Sequence, residues 1–290
     1  MRRAARRYVR DLGFALLRWS GHFSDYWPDA AEAEAALATA DRRAGKDIPG
    51  VDLDMGAMLD LWATLAPHIA KMPFADQRTA NLRYWYDNGF FRHGDAQVYF
   101  GMLAHFRPRR IIEIGCGFTT ALALDARDLL SLDTRITLIE PDVGRVRSLL
   151  RPEDLSRTDL RQNKVQEIPP DFFAELDEND ILFIDSSHIL KTGSDVCYEF
   201  FEILPVLRRG VLVHVHDVGD QFEYPGKWVF AENRGYNEAY VLRAFLTHNA
   251  AFRTIFFNQY FSARFPEKFQ MQTGGIAKNV GGSLWLRRVA

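Results

Sequence analysis

Between residues 110 and 217, short apolar runs alternate with amphipathic stretches. Residues 110–115 (RIIEIG) are an apolar run closed by glycine, the pattern of a buried strand, and residues 119–130 read as a helix. Residues 136–140 predict a second strand, stopped by Pro141, and residues 143–150 a second helix. A weaker strand is expected within 160–165. A clear one spans 181–185, after the turn Glu178-Asn179-Asp180. Residues 194–204 read as a helix with Ser194 as N-cap, and Gly210 introduces a strand at 211–217. Strands alternating with helices imply βαβ units and a parallel sheet. The tail predicts a helix at 237–248, then two apolar runs, 252–257 and 283–288, that fit an antiparallel hairpin at the sheet edge.

The first 110 residues have another texture. Residues 28–46 are Ala-rich with scattered charge and predict a polar helix, followed by a turn at 46–50. Met55, Met58, Leu59, Leu61, Trp62, Leu65 and Ile69 recur at helical spacing over 54–71, with Pro67 expected to kink or shorten that helix and Pro73 to stop it. Residues 84–100 hold seven aromatics, interrupted by Gly89 and Gly94. Either these rings fasten the N-terminal segment to the core, or some of them line a pocket. The expected division is a helical cap over 1–94 and a second unit over 95–290, with its core in 95–221 and a C-terminal cap and edge strands in 222–290.

With 290 residues, 47% hydrophobic and 26% charged, the chain can bury a full core, which excludes disordered, collagen-like and disulfide-scaffold proteins. A net charge of −2 gives no nucleic-acid footprint. Cys116 and Cys197 are too far apart for a metal-type spacing and suit a reducing compartment, so a cytoplasmic protein is expected. No apolar run reaches the ~18 residues of a transmembrane helix. Residues 1–20 carry six arginines, with Arg10 and Asp11 interrupting what would otherwise resemble a signal peptide. They read as a partly solvated terminal helix or as a membrane-surface contact. Homo-oligomerisation stays open.

The chemistry concentrates at two places. Glu113-Ile-Gly-Cys-Gly-Phe-Thr-Thr120 follows a strand and opens a helix, and Glu140 ends the next strand. Glycines there let the backbone approach a ligand, and a carboxylate at the second strand end suits ribose hydroxyls. Thr120 stands where a dinucleotide fingerprint has its third glycine, so a cofactor without a pyrophosphate fits better. A merely structural turn is the alternative. Asp185, His188, His214, His216 and Asp217 fall at the C-terminal ends of adjacent strands, where open α/β sheets bind ligands. His188 is a candidate general base or else a capping residue, while His214 lies deeper and reads as core.

Residues 111–120 resemble the first motif of the class I S-adenosylmethionine-dependent methyltransferases, and 138–141 resemble the second. Residues 183–188 and 213–217 resemble the fourth- and fifth-strand motifs of a bacterial small-molecule branch. The similarity covers most of 80–290. It implies a doubly wound, Rossmann-like seven-stranded sheet, mostly parallel with the last strand antiparallel. It also implies cofactor contacts at Glu113, Gly115, Gly117, Thr119, Glu140, Gln166 and Asp185. The expected reaction is methyl transfer to a small-molecule hydroxyl, with His188, Asp217 and Asp185 as catalytic candidates. N-methylation of a small amine and a non-catalytic adenosine-ligand-binding module are the alternatives. Catechol-type relatives hold a divalent ion with two aspartates and a third acidic or amide group. Asp185 and Asp217 match two of these, but the third position is Val218. A metal would therefore need Asp185, His216 and Asp217, or His188 in place of His216.

Overall fold

The computed structural model describes residues 30–272 and 279–290; the arginine-rich residues 1–20, with the membrane-surface reading, lie outside them. Seven strands form one sheet: β1 (Arg110–Ile114), β2 (Arg135–Ile139), β3 (Thr158–Arg161), β4 (Ile181–Ile184), β5 (Leu212–Val215), β6 (Phe252–Phe257) and β7 (Leu284–Arg288). Their order is β3-β2-β1-β4-β5-β7-β6. The first five strands are parallel, and β7 runs antiparallel between β5 and β6. The expected terminal hairpin is present, with β7 as its inner strand. The chain winds outward from β1 to β3, then returns to place β4 beside β1. That reversal leaves a crevice at the C-terminal ends of β1 and β4.

The helices are α1 (Ala30–Arg42), α2 (Met55–Ile69), α3 (His93–Phe106), α4 (Phe118–Leu129), α5 (Gly144–Leu149), α6 (Pro170–Phe173), α7 (Asp195–Tyr198, continued by a π-turn over Glu199–Ile203), α8 (Glu238–Leu246), α9 (Asn258–Arg264) and α10 (Pro266–Gln272). Helices on both faces bury β1, β2, β4 and β5, which is why these strands read as nearly unbroken apolar runs. Glu113 in β1, Thr137 in β2 and His214 in β5 are the buried polar exceptions. Strand β3 starts two residues earlier than expected; as a half-exposed edge strand it lacks a strong apolar signal. Pro67 does not end α2, which runs on to Ile69. Proline in the last turn forgoes a single helical hydrogen bond. None of the described helices is long and apolar enough to cross a membrane.

The expected boundary after residue 94 falls in the first turn of α3, and one hydrophobic cluster extends from Ile48 to Leu286. Trp62 of α2 stacks on Phe256 and Phe269 and packs at a tilt on Phe261, all within 5.8 Å, tying the N-terminal helices to β6, α9 and α10. Buried Arg83 pairs with Asp125 (2.8 Å), Asp154 (2.6 Å) and Asp128 (3.0 Å), and so anchors the loop ahead of α3 to α4. Both readings of the aromatic stretch are realised. Tyr84, Phe91, Tyr99 and Phe100 are core, whereas Phe90 is 57% exposed at a cleft mouth.

Candidate functional site

Strand β1 delivers the glycine turn to the crevice. Gly115 has φ +79°, and a Cβ there would lie 1.8 Å from the Asp185 carbonyl oxygen, so glycine alone lets β1 end against β4. Gly117 caps α4, and its N–H donates to Thr120 Oγ1 at 3.2 Å. Both threonine hydroxyls, Thr119 and Thr120, donate to Glu113 Oε1. Glu113, expected as a cofactor contact, is fully buried beneath the turn and lines neither of the clefts described below. Thr120, in place of a third glycine, braces it.

Burial pushes the Glu113 carboxyl up to about 8, against the pull of the two hydroxyls. Glu113 therefore takes up a proton on folding. The unfolded carboxyl ionises from its ordinary 4.5 upward while the folded one does not. Wild-type stability should thus fall as pH rises from about 4.5 to about 8. Glu113→Gln should lack this loss and should be the more stable protein at pH 8, with the gap closing toward pH 5. Denaturant midpoints at the two pH values check this.

At the end of β2, Glu140 accepts the Cys116 N–H (3.1 Å) and the Asp142 N–H (2.8 Å), which turns its carboxylate toward the glycine turn. Two clefts meet here and share Gly115, Glu140, Asp185 and Ser186. One, of about 440 Å³, runs over Ile139, Val165 and Gln166; the Gln166 amide donates to the Gly193 carbonyl at 3.0 Å. The other, of about 420 Å³, contains Gly117 and Thr119 and ends among His188, His216 and Asp217. Its mouth is aromatic. Phe90 stacks on Phe118 and lies under the Arg145 guanidinium (3.9 Å), and Arg234 lies over Trp228 (4.1 Å) beside Tyr236.

The strand ends hold an alternating row of carboxylates and imidazoles. His188 Nε2 is 3.3 Å from Asp185 and 3.6 Å from Asp217, and its Nδ1 is 2.7 Å from Glu238. His216 Nδ1 is 3.2 Å from Asp185 and 3.5 Å from Asp217, while its Nε2 faces Asp95 at 3.4 Å. Burial alone would lower both histidines, but the surrounding carboxylates outweigh it and hold them well above their ordinary value. Burial would raise Asp185, yet the two imidazoles it touches hold it well below the usual carboxylate range. Asp217 makes longer contacts, so burial wins and its carboxyl is pushed up. His188 and Asp217 both sit at left-handed φ, +60° and +58°. Such strain persists only where the surroundings enforce it, and it clusters at functional sites. His214 belongs to the core: it is fully buried, 2.8 Å from Ser283 Oγ, and burial lowers it well below its ordinary value.

The structure brings these four residues together: both ring nitrogens of His188 face carboxylates that raise it well above its ordinary value, and His216 lies within ion-pair range of both Asp185 and Asp217. Among the described residues, the His/Asp/Glu/Cys group with ligand atoms all within 4.8 Å is Asp76, Asp87 and His93, in and after the loop preceding α3. Asp95 and Glu238, which hold the far nitrogens of the two imidazoles, escaped the sequence reading. Glu238 is 50 residues from His188, and Asp95 sits in the first turn of a helix buried on every side.

The family described as "Methyltransferase domain" matches residues 112–218. An uncharacterized protein of Archaeoglobus fulgidus is 30% identical over 171 residues, which span 55% of this chain and 73% of that protein. Among solved structures, the chain is similar to the O-methyltransferase TomG from Streptomyces achromogenes, involved in tomaymycin synthesis and solved with S-adenosylmethionine. The identity is 15%, covering 83% of this chain and 92% of that one, with a TM-score of 0.45. It is also similar to a putative O-methyltransferase from Klebsiella pneumoniae, with 16% identity, 93% and 100% coverage and a TM-score of 0.45.

Proposed function

The chain belongs to the class I S-adenosylmethionine-dependent methyltransferases, and from that premise we propose that it methylates a hydroxyl oxygen of a small molecule. The observation that carries this reading is the pair of clefts joined at Gly115, Glu140 and Asp185, one of them ending on a carboxylate of raised basicity, Asp217. The Gln166 cleft would hold the cofactor's adenine, and Glu140 would accept from its ribose hydroxyls. Gly115, Gly117 and Thr119 would hold the methionine arm, with Asp185 at the junction of the two clefts. The acceptor enters between Phe90 and Phe118 on one side and Trp228 and Tyr236 on the other.

Methyl transfer from the sulfonium is an in-line displacement. When bound, S-adenosylmethionine would supply its methyl group to the acceptor oxygen, with the neutral thioether as the leaving group. The hydroxyl proton must go to a base, and Asp217 is the group tuned for it, since burial raises its proton affinity. His188 and His216 act as fixed cations. They keep Asp185 ionised toward the positive sulfonium and hold Asp217 in place. Glu238 and Asp95 anchor those imidazoles from the far side. A neutral amine would need no such base, which is why oxygen is preferred to nitrogen. The scheme draws on no metal.

Incubation with methyl-labelled S-adenosylmethionine and a panel of phenols, alcohols and amines tests this. Label should pass to hydroxyl acceptors and survive chelator. Activity should be lost on acidification at a higher pH than an ordinary aspartate would give, because Asp217 must be ionised to act and its carboxyl is raised. Transfer confined to amines, or activity abolished by chelator and restored by a divalent ion, would overturn the scheme. Cofactor binding without transfer to any acceptor would make the protein a binding module.

A further inference from the structure

A further, chemically different cavity lies at the opposite end of the sheet. It is about 680 Å³ and opens where β1, β2 and β4 begin. Arg127, in the last turn of α4, lines it together with Arg109, Arg135, Arg157 and Arg208. Arg127 is only 4% exposed, yet it is poorly satisfied. Its Nη1 donates to the Arg157 carbonyl at 3.1 Å, while Nε and Nη2 have no hydrogen-bond acceptor among the described residues. Asp128 comes no nearer than ion-pair range, 3.9 Å from Nε, and already serves Arg83 at 3.0 Å and Arg157 at 3.2 Å.

A guanidinium cannot shed its charge, and a buried cation without a partner is strongly unfavourable. Something must complete it. The buried carboxylate on the wall is engaged: Asp180 accepts the backbone N–H groups of Arg109, Arg110 and Asp177. Glu175 pairs with Arg110 at 2.9 Å. Asp133, Asp177 and Glu178 are exposed where they line the cavity, so an extended polyanion would meet repulsion. A compact anion that reaches Arg127 would not.

We propose that this cavity binds a small tetrahedral oxyanion of phosphate or sulfate type, with Arg127 as the buried anchor and Arg135 and Arg157 beside it. Arg135 opens β2, whose far end carries Glu140, and Arg110 opens β1, whose far end carries the glycine turn. Occupancy would therefore stabilise the strands that position the cofactor site. The binding itself is independent of methyl transfer.

Thermal unfolding in rising inorganic phosphate, at constant ionic strength, tests the site. Wild-type Tm should rise saturably, by roughly 5–10 °C at about one hundred times Kd for a chain of this size. Arg127→Met keeps the stem and removes the charge. Its Tm should not respond to phosphate, and in phosphate-free buffer it should match or exceed wild type, since the incompletely satisfied buried cation is gone. Line broadening of the ³¹P resonance should be seen with wild type and be weaker with Arg135→Met or Arg157→Met. This keeps the proposal open to refutation even where Arg127→Met does not fold. A phosphate monoester titrated in parallel separates the sources: tighter ester binding points to a phosphorylated metabolite, equal binding to the free ion. No rise in wild-type Tm with no ³¹P broadening, or an equal rise in Arg127→Met, would overturn it.

Discussion

Asp217→Asn should lower turnover by roughly 10²–10⁴, the range for loss of a general base, and leave S-adenosylmethionine affinity within a few fold. Asparagine is nearly isosteric and tolerates the left-handed φ of +58° at this position. The fold should therefore survive, which isolates the chemistry. The amide cannot take the hydroxyl proton, and the change removes one of the carboxylates that raise His216. Single-turnover rates and calorimetric cofactor binding on the same preparation check both halves. Turnover within a few fold of wild type would mean that the acceptor loses its proton elsewhere or needs no base.

Gly115→Ala should abolish cofactor binding and lower Tm by roughly 5–15 °C. The residue lies at φ +79°, and the added Cβ would sit 1.8 Å from the Asp185 carbonyl, a backbone atom that can move only with the end of β4. The left-handed conformation costs about 1–2 kcal/mol and overpacking another 1–3 kcal/mol. For a chain of this size, each kcal/mol corresponds to about 2–4 °C. Gly117→Ala is the informative contrast. Its neighbour is the flexible Arg145 side chain at 3.0 Å, which can swing aside. That variant should keep its Tm and lose affinity only. Thermal unfolding of the two variants with and without cofactor separates the cases. A Gly115→Ala protein with wild-type Tm and affinity would show that β1 does not need its close approach to β4.

The parallel core was legible because β1, β2, β4 and β5 are buried on both faces and must be apolar runs. The turn after β1 was legible because glycine is required there. Helix α3 was not. Buried from His93 to Ala104, it carries no polar stripe to reveal its period. Gly94 looked like a break, but it fits a helix turn pressed against the Val280 carbonyl, 1.9 Å from where a Cβ would stand. At the site, strand-end position identified Asp185, His188, His216 and Asp217. Their partners Asp95 and Glu238 come from either side of the matched domain, 112–218. Pairing of that kind is settled by tertiary packing and leaves no local pattern. The motif likewise marked Glu113 without showing that it faces the core, where its threonine partners satisfy one oxygen.

Calorimetric titration of S-adenosylmethionine into wild type and Glu140→Ala tests the central claim most directly. One cofactor should bind per chain. Loss of the Glu140 carboxylate should weaken binding by about 1.5–3 kcal/mol, the worth of a hydrogen bond to a charged group, or roughly 10–150-fold in Kd. No heat of binding with wild type, or equal affinity in the two proteins, would contradict the account.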